Sequence, residues 1–176
     1  MIVSITGFMG AGKSIVAKEL SKRVNLQMVD LDHYIESKEG GVSVSELFST
    51  RGERVFRELE EKALAELIEE RGEHSFILSL GGGTLLSPKS RELIKNNTFC
   101  IYLIASIETI ASRIERSFVK RPLLTDSNNQ FATNRLQTLF LEREFGYNYA
   151  SHMVIRVDSL TVNEIVEKIE HRLSIE

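Results

Sequence analysis

Gly7-Phe8-Met9-Gly10-Ala11-Gly12-Lys13-Ser14 follows the apolar run Ile2–Thr6 and precedes a segment in which Val16, Ala17, Leu20 and Val24 recur at three-to-four spacing. The octapeptide satisfies Gly-x-x-x-x-Gly-Lys-Ser/Thr, and its position between a β-branched run and an amphipathic helix gives the pattern its meaning. Glycines let the backbone turn and aim its N–H groups at phosphate oxygens. The positive end of the following helix adds a favourable potential for an anion. Gly10, Ala11, Gly12, Lys13, Ser14 and the adjoining Ile15 are therefore the expected phosphate-binding residues. Lys13 is expected to reach the β- and γ-phosphates of a nucleotide. Ser14 is expected to offer its hydroxyl to Mg²⁺, an ion that keeps several waters and takes few protein ligands. The bland alternative is a glycine turn that only caps a helix.

Working outward, short apolar runs alternate with longer segments of helical period, the pattern of a parallel sheet covered by helices. Strands are expected at Ile2–Thr6, Gln27–Asp30, Phe76–Leu80, Phe99–Ile104 and Met153–Val157. Phe56, Leu59, Ala63 and Leu67 mark one further helix. Val162, Ile165, Val166, Ile169 and Leu173 mark another, and Thr161 with Glu164 has the spacing of a capping box at its start. The long stretch without clear period runs over about 117–130, and loops of that length in compact domains are usually functional. The reading is an α/β fold in one domain over 1–176, with a substrate-binding segment about 31–60 and a lid about 115–130.

Composition narrows the partners. The chain has 176 residues, 42% of them hydrophobic, which suffices for one good core. A net charge of −3 and a pI near 5.9 offer no field for a polyanion, so neither nucleic acid nor a membrane surface is expected as a partner. Cys100, the single cysteine, lies in an apolar run, excludes an intrachain disulfide and fits a reducing compartment. No basic leader precedes the first strand, and the expectation is a cytoplasmic chain that acts on small molecules as a monomer. The four histidines have no metal-ligand spacing.

Four further constellations can face a bound phosphate chain. Asp30-Leu31-Asp32 ends the second expected strand, at the side of a parallel sheet where ligands bind. Of two carboxylates there, one can hold Mg²⁺ through water and the other can orient or deprotonate an acceptor hydroxyl. Alternatively, they are a solvated strand end, with Asp32 capping a helix that starts near His33. Arg57, next to Phe56 in Gly52-Glu53-Arg54-Val55-Phe56-Arg57, lies at the apolar boundary of its helix. There it can either grip a carboxylate with its planar fork or pair on the surface with Glu53, Glu60 or Glu61. Gly81, Gly82 and Gly83 follow the third strand at an entropic cost, which implies either a close approach to that backbone or a flexible turn. Arg121, in Arg121-Pro122-Leu123-Leu124, can neutralise a transferring phosphoryl group if its segment closes over the nucleotide. Arg143, four residues before Tyr147, can make a second carboxylate contact. Each is otherwise a surface cation.

In this combination and order the chain resembles the shikimate kinase family. The family pattern of P-loop, Asp-x-Asp, Gly-Glu-x-x-Phe-Arg, Gly-Gly-Gly, Arg-Pro-Leu-Leu and a late arginine before a tyrosine is met by Gly7–Ser14, Asp30 with Asp32, Gly52 to Arg57, Gly81–Gly83, Arg121–Leu124, and Arg143 with Tyr147. The resemblance implies a three-layer P-loop kinase fold of the nucleoside-monophosphate-kinase type, with a five-stranded parallel sheet, flanking helices and a lid. It implies phosphoryl transfer from MgATP to the 3-hydroxyl of shikimate. It also implies roles: Asp32 as base, with Lys13 and Arg121 acting on the phosphoryl group; Asp30 and Ser14 on the Mg²⁺ side; Arg57 and Arg143 on the shikimate carboxylate. Gly81, Gly82 and Gly83 would meet the substrate, Arg121 would bridge phosphoryl group and substrate, and Arg113 would lie against adenine, with Arg116 close by as its alternative.

Two positions depart from the family pattern. Ile15 stands where a hydroxyl residue is usual, which removes a hydrogen bond to the α-phosphate, and Phe145 stands where proline commonly follows the arginine by two. Two other readings compete: a P-loop kinase of another hydroxy acid or a polyol such as gluconate, and a non-catalytic ligand-sensing module on the same fold. The first of these would be favoured if Arg57 and Arg143 did not converge.

Overall fold

A computed structural model describes residues 1–71, 74–116 and 133–174. Five strands, β1 (Ile2–Thr6), β2 (Gln27–Asp30), β3 (Phe76–Ser79), β4 (Phe99–Ile104) and β5 (Met153–Arg156), form one parallel sheet in the order β2-β3-β1-β4-β5. The register runs Ile2 to Phe76, Gln27 to Phe76, Val3 to Phe99 and Ile101 to Met153. Strand bounds agree with the sequence expectation to within one residue. The reason is visible in their burial: β1 and β3 are buried along their whole length and β4 up to its last residue, as a strand covered on both faces must be, so they read as mainly apolar runs. The edge strands β2 and β5 are only partly buried.

Helices α1 (Lys13–Arg23), α2 (Leu31–Lys38), α3 (Val44–Arg71), α4 (Pro88–Asn97), α5 (Ile107–Glu115), α6 (Thr133–Ala150) and α7 (Val162–Leu173) surround the sheet. Helix α1 packs on α7, and α4 packs on α6. Val16, Ala17 and Leu20 of α1 and Ile165, Val166 and Ile169 of α7 are buried, as their spacing requires. The capping box forms: the Thr161 hydroxyl accepts from the Glu164 N–H at 3.3 Å, and the Glu164 carboxylate accepts from the Thr161 N–H at 2.7 Å.

Helix α3 departs from the simple amphipathic reading in two ways that matter for the site. It is broken at Gly52, whose φ of 81° is left-handed and non-helical, so the segment bearing Arg57 starts afresh at Glu53. Its inward stripe is Phe56, Glu60, Ala63, Leu64 and Leu67, with Leu59 only half-buried; a carboxylate sits where the pattern of apolar residues alone places leucine.

Candidate active site

The phosphate end of the site is built by local backbone. Gly12 is the N-cap of α1 and takes φ 97°, a conformation other residues seldom hold, which opens the helix N-terminus toward the cleft. The loop is closed by the Ala11 N–H donating to the Phe8 carbonyl at 3.2 Å, and the Lys13 ammonium donates to the same carbonyl at 3.1 Å. Arg113 of α5 reaches across the loop, donating to the carbonyls of Gly10 at 3.0 Å and Ala11 at 3.3 Å. A cleft of about 660 Å³ opens over this loop, and Lys13, Ser14, Asp30, Asp32, Gly82 and Arg113 are among the residues that line it. Ile15, 63% exposed, is on its wall together with Leu160, Val162 and Ile165. Arg116, which caps the C-terminus of α5, is not among the cleft residues.

The two aspartates reach this cleft from different elements, not from one strand. Asp30 ends β2 and is the N-cap of α2: its carboxylate accepts from the N–H groups of Asp32 at 3.1 Å and His33 at 3.4 Å. The cap is therefore Asp30 and not Asp32, and the helix starts at Leu31, two residues earlier than the bland sequence alternative had it. Asp32 is thereby free of capping duty and projects from the first turn of α2. Burial, then the Asp30 and Glu60 carboxylates, push its carboxyl up from 3.8 to about 6, against the opposing pull of Lys13.

The far end of the site is assembled from three distant segments. Gly81, Gly82 and Gly83 follow β3 without any left-handed φ, so their lack of side chains serves close approach and not turning. A Cβ on Gly83 would overlap the Arg57 guanidinium, lying 2.7 Å from its Cζ. A Cβ on Gly81 would meet Asp32 at 3.2 Å and Glu60 at 3.1 Å, and one on Gly82 would lie 3.6 Å from Arg143 Nη1. The two arginines thus converge on neighbouring glycines, 86 positions apart in the chain, beside Asp32.

Arg57 is held by Glu60 at 2.6 Å and, on its other arm, by Glu53 at 3.4 Å; Glu61 instead binds Ser87 and Lys89. Of the two sequence readings of Arg57 the pairing with Glu53 and Glu60 is the one observed, and it holds the guanidinium against Gly83. The sequence suggests Glu60 only as a surface partner for Arg57. It is 2% exposed, and its other oxygen accepts from the Thr84 hydroxyl at 2.6 Å. The available signal was a charged residue in register with Phe56, Ala63 and Leu67.

Arg143 on α6 is 5% exposed, with Nη1 donating to the Gly82 carbonyl at 3.3 Å and the guanidinium 5.5 Å from the Phe8 ring centroid. Among the described residues no carboxylate lies within ion-pair distance of it, and its Nε, like that of Arg57, has no hydrogen-bond partner. A buried cation in this condition is costly unless an anion completes it. Phe145 points the other way, 64% exposed with the Arg91 guanidinium 5.3 Å from its ring, so the departure from proline leaves Arg143 inside. Arg121 lies outside the described residues.

Donors for a metal are sparse. Ser14 and Asp30 both line the cleft, and among the described residues no group of three or more His, Cys, Asp or Glu side chains is placed to hold an ion. That donor set fits Mg²⁺, which would draw most of its ligands from water and phosphate.

Comparison with known proteins agrees with this geometry. The family profile described as shikimate kinase matches residues 9–174. The shikimate kinase of Thermus thermophilus is 39% identical over 171 residues, covering 97% of this chain and 89% of that protein. Among solved structures, shikimate kinase from Acinetobacter baumannii in complex with shikimate superposes with a TM-score of 0.84 at 28% identity, covering 98% of this chain and 92% of that one. Shikimate kinase from Bacteroides thetaiotaomicron gives 0.85 at 26% identity, covering 99% and 98%. Matched by the family profile over residues 9–174 and by a relative 39% identical over nearly its whole length, the chain belongs to the shikimate kinase family.

Proposed function

We propose that this chain is a shikimate kinase: it transfers the γ-phosphoryl group of MgATP to the 3-hydroxyl of shikimate, giving shikimate 3-phosphate and ADP on the route to chorismate and the aromatic amino acids. The observation that carries the choice of acceptor is Arg143, a buried guanidinium with no carboxylate partner among the described residues, next to Arg57 on the glycine strip. Two such forks suit a planar carboxylate held bidentately. Asp32 stands between that end and the phosphate loop, which suits it to act on the hydroxyl that is to be phosphorylated.

In this reading the N–H groups of residues 10 to 15 and the Lys13 ammonium hold the phosphates. Arg143 and Arg57 fix the acid, Gly81 to Gly83 leave room for its ring, and Asp32 accepts the hydroxyl proton as the new O–P bond forms. With a carboxyl raised to about 6, Asp32 is ionised at neutral pH yet more basic than an ordinary carboxylate, a useful compromise for a general base. Ser14 and Asp30 would hold Mg²⁺, the latter through water since its carboxylate already caps α2, and the ion would supply charge neutralisation to the phosphate chain. Arg113, already over the loop, would turn its face to the adenine, and Arg121 would bridge phosphoryl group and acid. We read the chain as a single-domain cytoplasmic monomer; among the described residues no helix is long and apolar enough to cross a membrane.

The test is a coupled ADP-release assay across shikimate, quinate and gluconate with MgATP. ADP release that depends on shikimate and far exceeds that with gluconate is expected. A preference for gluconate would make the chain a kinase of another hydroxy acid, and a flat response to all three acids would leave a ligand-sensing module.

A further inference from the structure

Helix α6 carries a glycine at position 146, in the turn between Arg143 and the end of the helix, where glycine costs helical stability relative to alanine. The contact it makes explains it. A Cβ there would collide with the Leu85 carbonyl oxygen, 3.1 Å from the carbonyl carbon and 3.2 Å from the Leu85 Cβ. Leu85 belongs to the short 3₁₀ turn Thr84–Leu86 that directly follows the glycine strip. The absent side chain thus lets α6 seat on the loop that carries Gly81, Gly82 and Gly83.

Tyr147, the next residue, uses that proximity. Its side chain is buried, its ring packs at 5.1 Å on Tyr102 of β4, and its hydroxyl donates to the Gly82 carbonyl at 2.5 Å. The same carbonyl accepts from Arg143 Nη1, one helical turn earlier on α6. One backbone oxygen is therefore shared by a phenol fixed against the sheet and by a guanidinium that, among the described residues, has no carboxylate partner. The phenol fixes the carbonyl, and the carbonyl fixes the cation.

We propose that Gly146 and Tyr147 are positioning residues for Arg143: the bare seat at Gly146 and the Tyr147–Gly82 bond hold the arginine's fork at the height needed to take the substrate carboxylate. This inference rests on the shikimate kinase reading, since the carboxylate is that of the acid substrate. Neither residue touches the reacting atoms, so their removal should alter binding of the acid and not the chemical step.

The experiment is a double-mutant cycle on steady-state constants with Tyr147→Phe, Arg143→Ala and the pair. Tyr147→Phe is expected to raise the KM for shikimate about 5- to 10-fold, the range of one well-placed hydrogen bond, with the KM for ATP unchanged and kcat within about 2-fold. In the Arg143→Ala background the same change should have almost no effect, because the group it positions is gone. Gly146→Ala should raise the KM for shikimate as well and lower the melting temperature, the reverse of the usual effect of alanine for glycine in a helix. Additive effects in the cycle, or an equal rise in both KM values, would assign Tyr147 a general packing role and overturn the inference. If Arg143→Ala itself leaves the shikimate KM unaltered, the acceptor reading fails and the inference falls with it. If Arg143→Ala raises that KM and Tyr147→Phe does not, only the positioning role fails.

Discussion

The two ends of the cleft are made in opposite ways. At the phosphate end the loop of Gly7 to Ser14 and the N-terminus of α1 present backbone groups to the cleft, and among the described residues the Arg113 side chain donates to that loop from a distant helix. At the acid end, side chains from α2, α3 and α6 meet over a backbone strip after β3, and each depends on another for its place. The first is a local device that tolerates change around it. The second is an assembly in which removing one member leaves another buried and uncompensated.

The largest effect should come where the two ends meet. Asp32→Asn is expected to lower kcat about 10³-fold, within the range for loss of a general base, while the KM for shikimate changes little. Equal losses in both would take the base role from Asp32. Next, Arg143→Ala should cost about 10²-fold in kcat/KM for shikimate with the KM for ATP untouched, since it removes a charge-assisted contact at one end only. A parallel rise in the KM for ATP would show that the two ends are not separable.

Glu60→Gln asks whether the acid end is as interdependent as it looks. Breaking its buried pair with Arg57 should destabilise the protein by about 3 kcal/mol in denaturant unfolding and weaken shikimate binding as well. It should also let the Asp32 carboxyl fall, because Glu60 is one of the charges that raise it. Insensitivity of both stability and binding would mark Glu60 as a solvated surface group.

Titration gives a subtler test. The Asp32 carboxyl, raised mainly by burial, binds a proton more tightly in the native than in the unfolded chain, so its ionised form costs stability. That cost is absent below pH 3.8, grows as pH rises through the interval to about 6, and is complete above it. Asp32→Asn should therefore melt a few degrees higher than the parent at pH 8, with the difference closing near pH 4. In the parent, kcat/KM should fall on the acid side with a midpoint near 6. An acid limb near 4 would put Asp32 in an ordinary environment.

The same contrast decides what was legible in the sequence. The phosphate loop, the five strands and the capping box of α7 were readable because each is a local pattern whose cause lies within a few residues. The acid end was only partly so. Arg57, Arg143 and the glycine triplet stand out as candidates, each beside a bland alternative, and only the fold shows that they meet. Glu60 escaped because a carboxylate three residues from an arginine reads as a surface pair, and only the Thr84 and Gly81 contacts show that it is enclosed. Asp30 and Asp32 look like one motif and divide into a helix cap and a carboxylate that takes no part in the cap, a division settled by where α2 begins. The Gly52 break and the seat at Gly146 are consequences of packing and leave no periodic signal.

The smallest effect belongs to the phosphate end. Ile15→Thr would supply a hydroxyl where an exposed isoleucine now lines the cleft, and should lower the KM for ATP about 3- to 5-fold without moving the KM for shikimate.

A comparison of shikimate with its methyl ester, as substrates of the unaltered enzyme, measures the worth of the negative charge that the two guanidinium groups are held to receive. The ester keeps the ring and hydroxyls but cannot neutralise Arg143, and kcat/KM should drop about 10²-fold or more, almost wholly through KM. Ester and acid turned over with equal kcat/KM would show that the buried cation serves something other than the substrate's carboxylate.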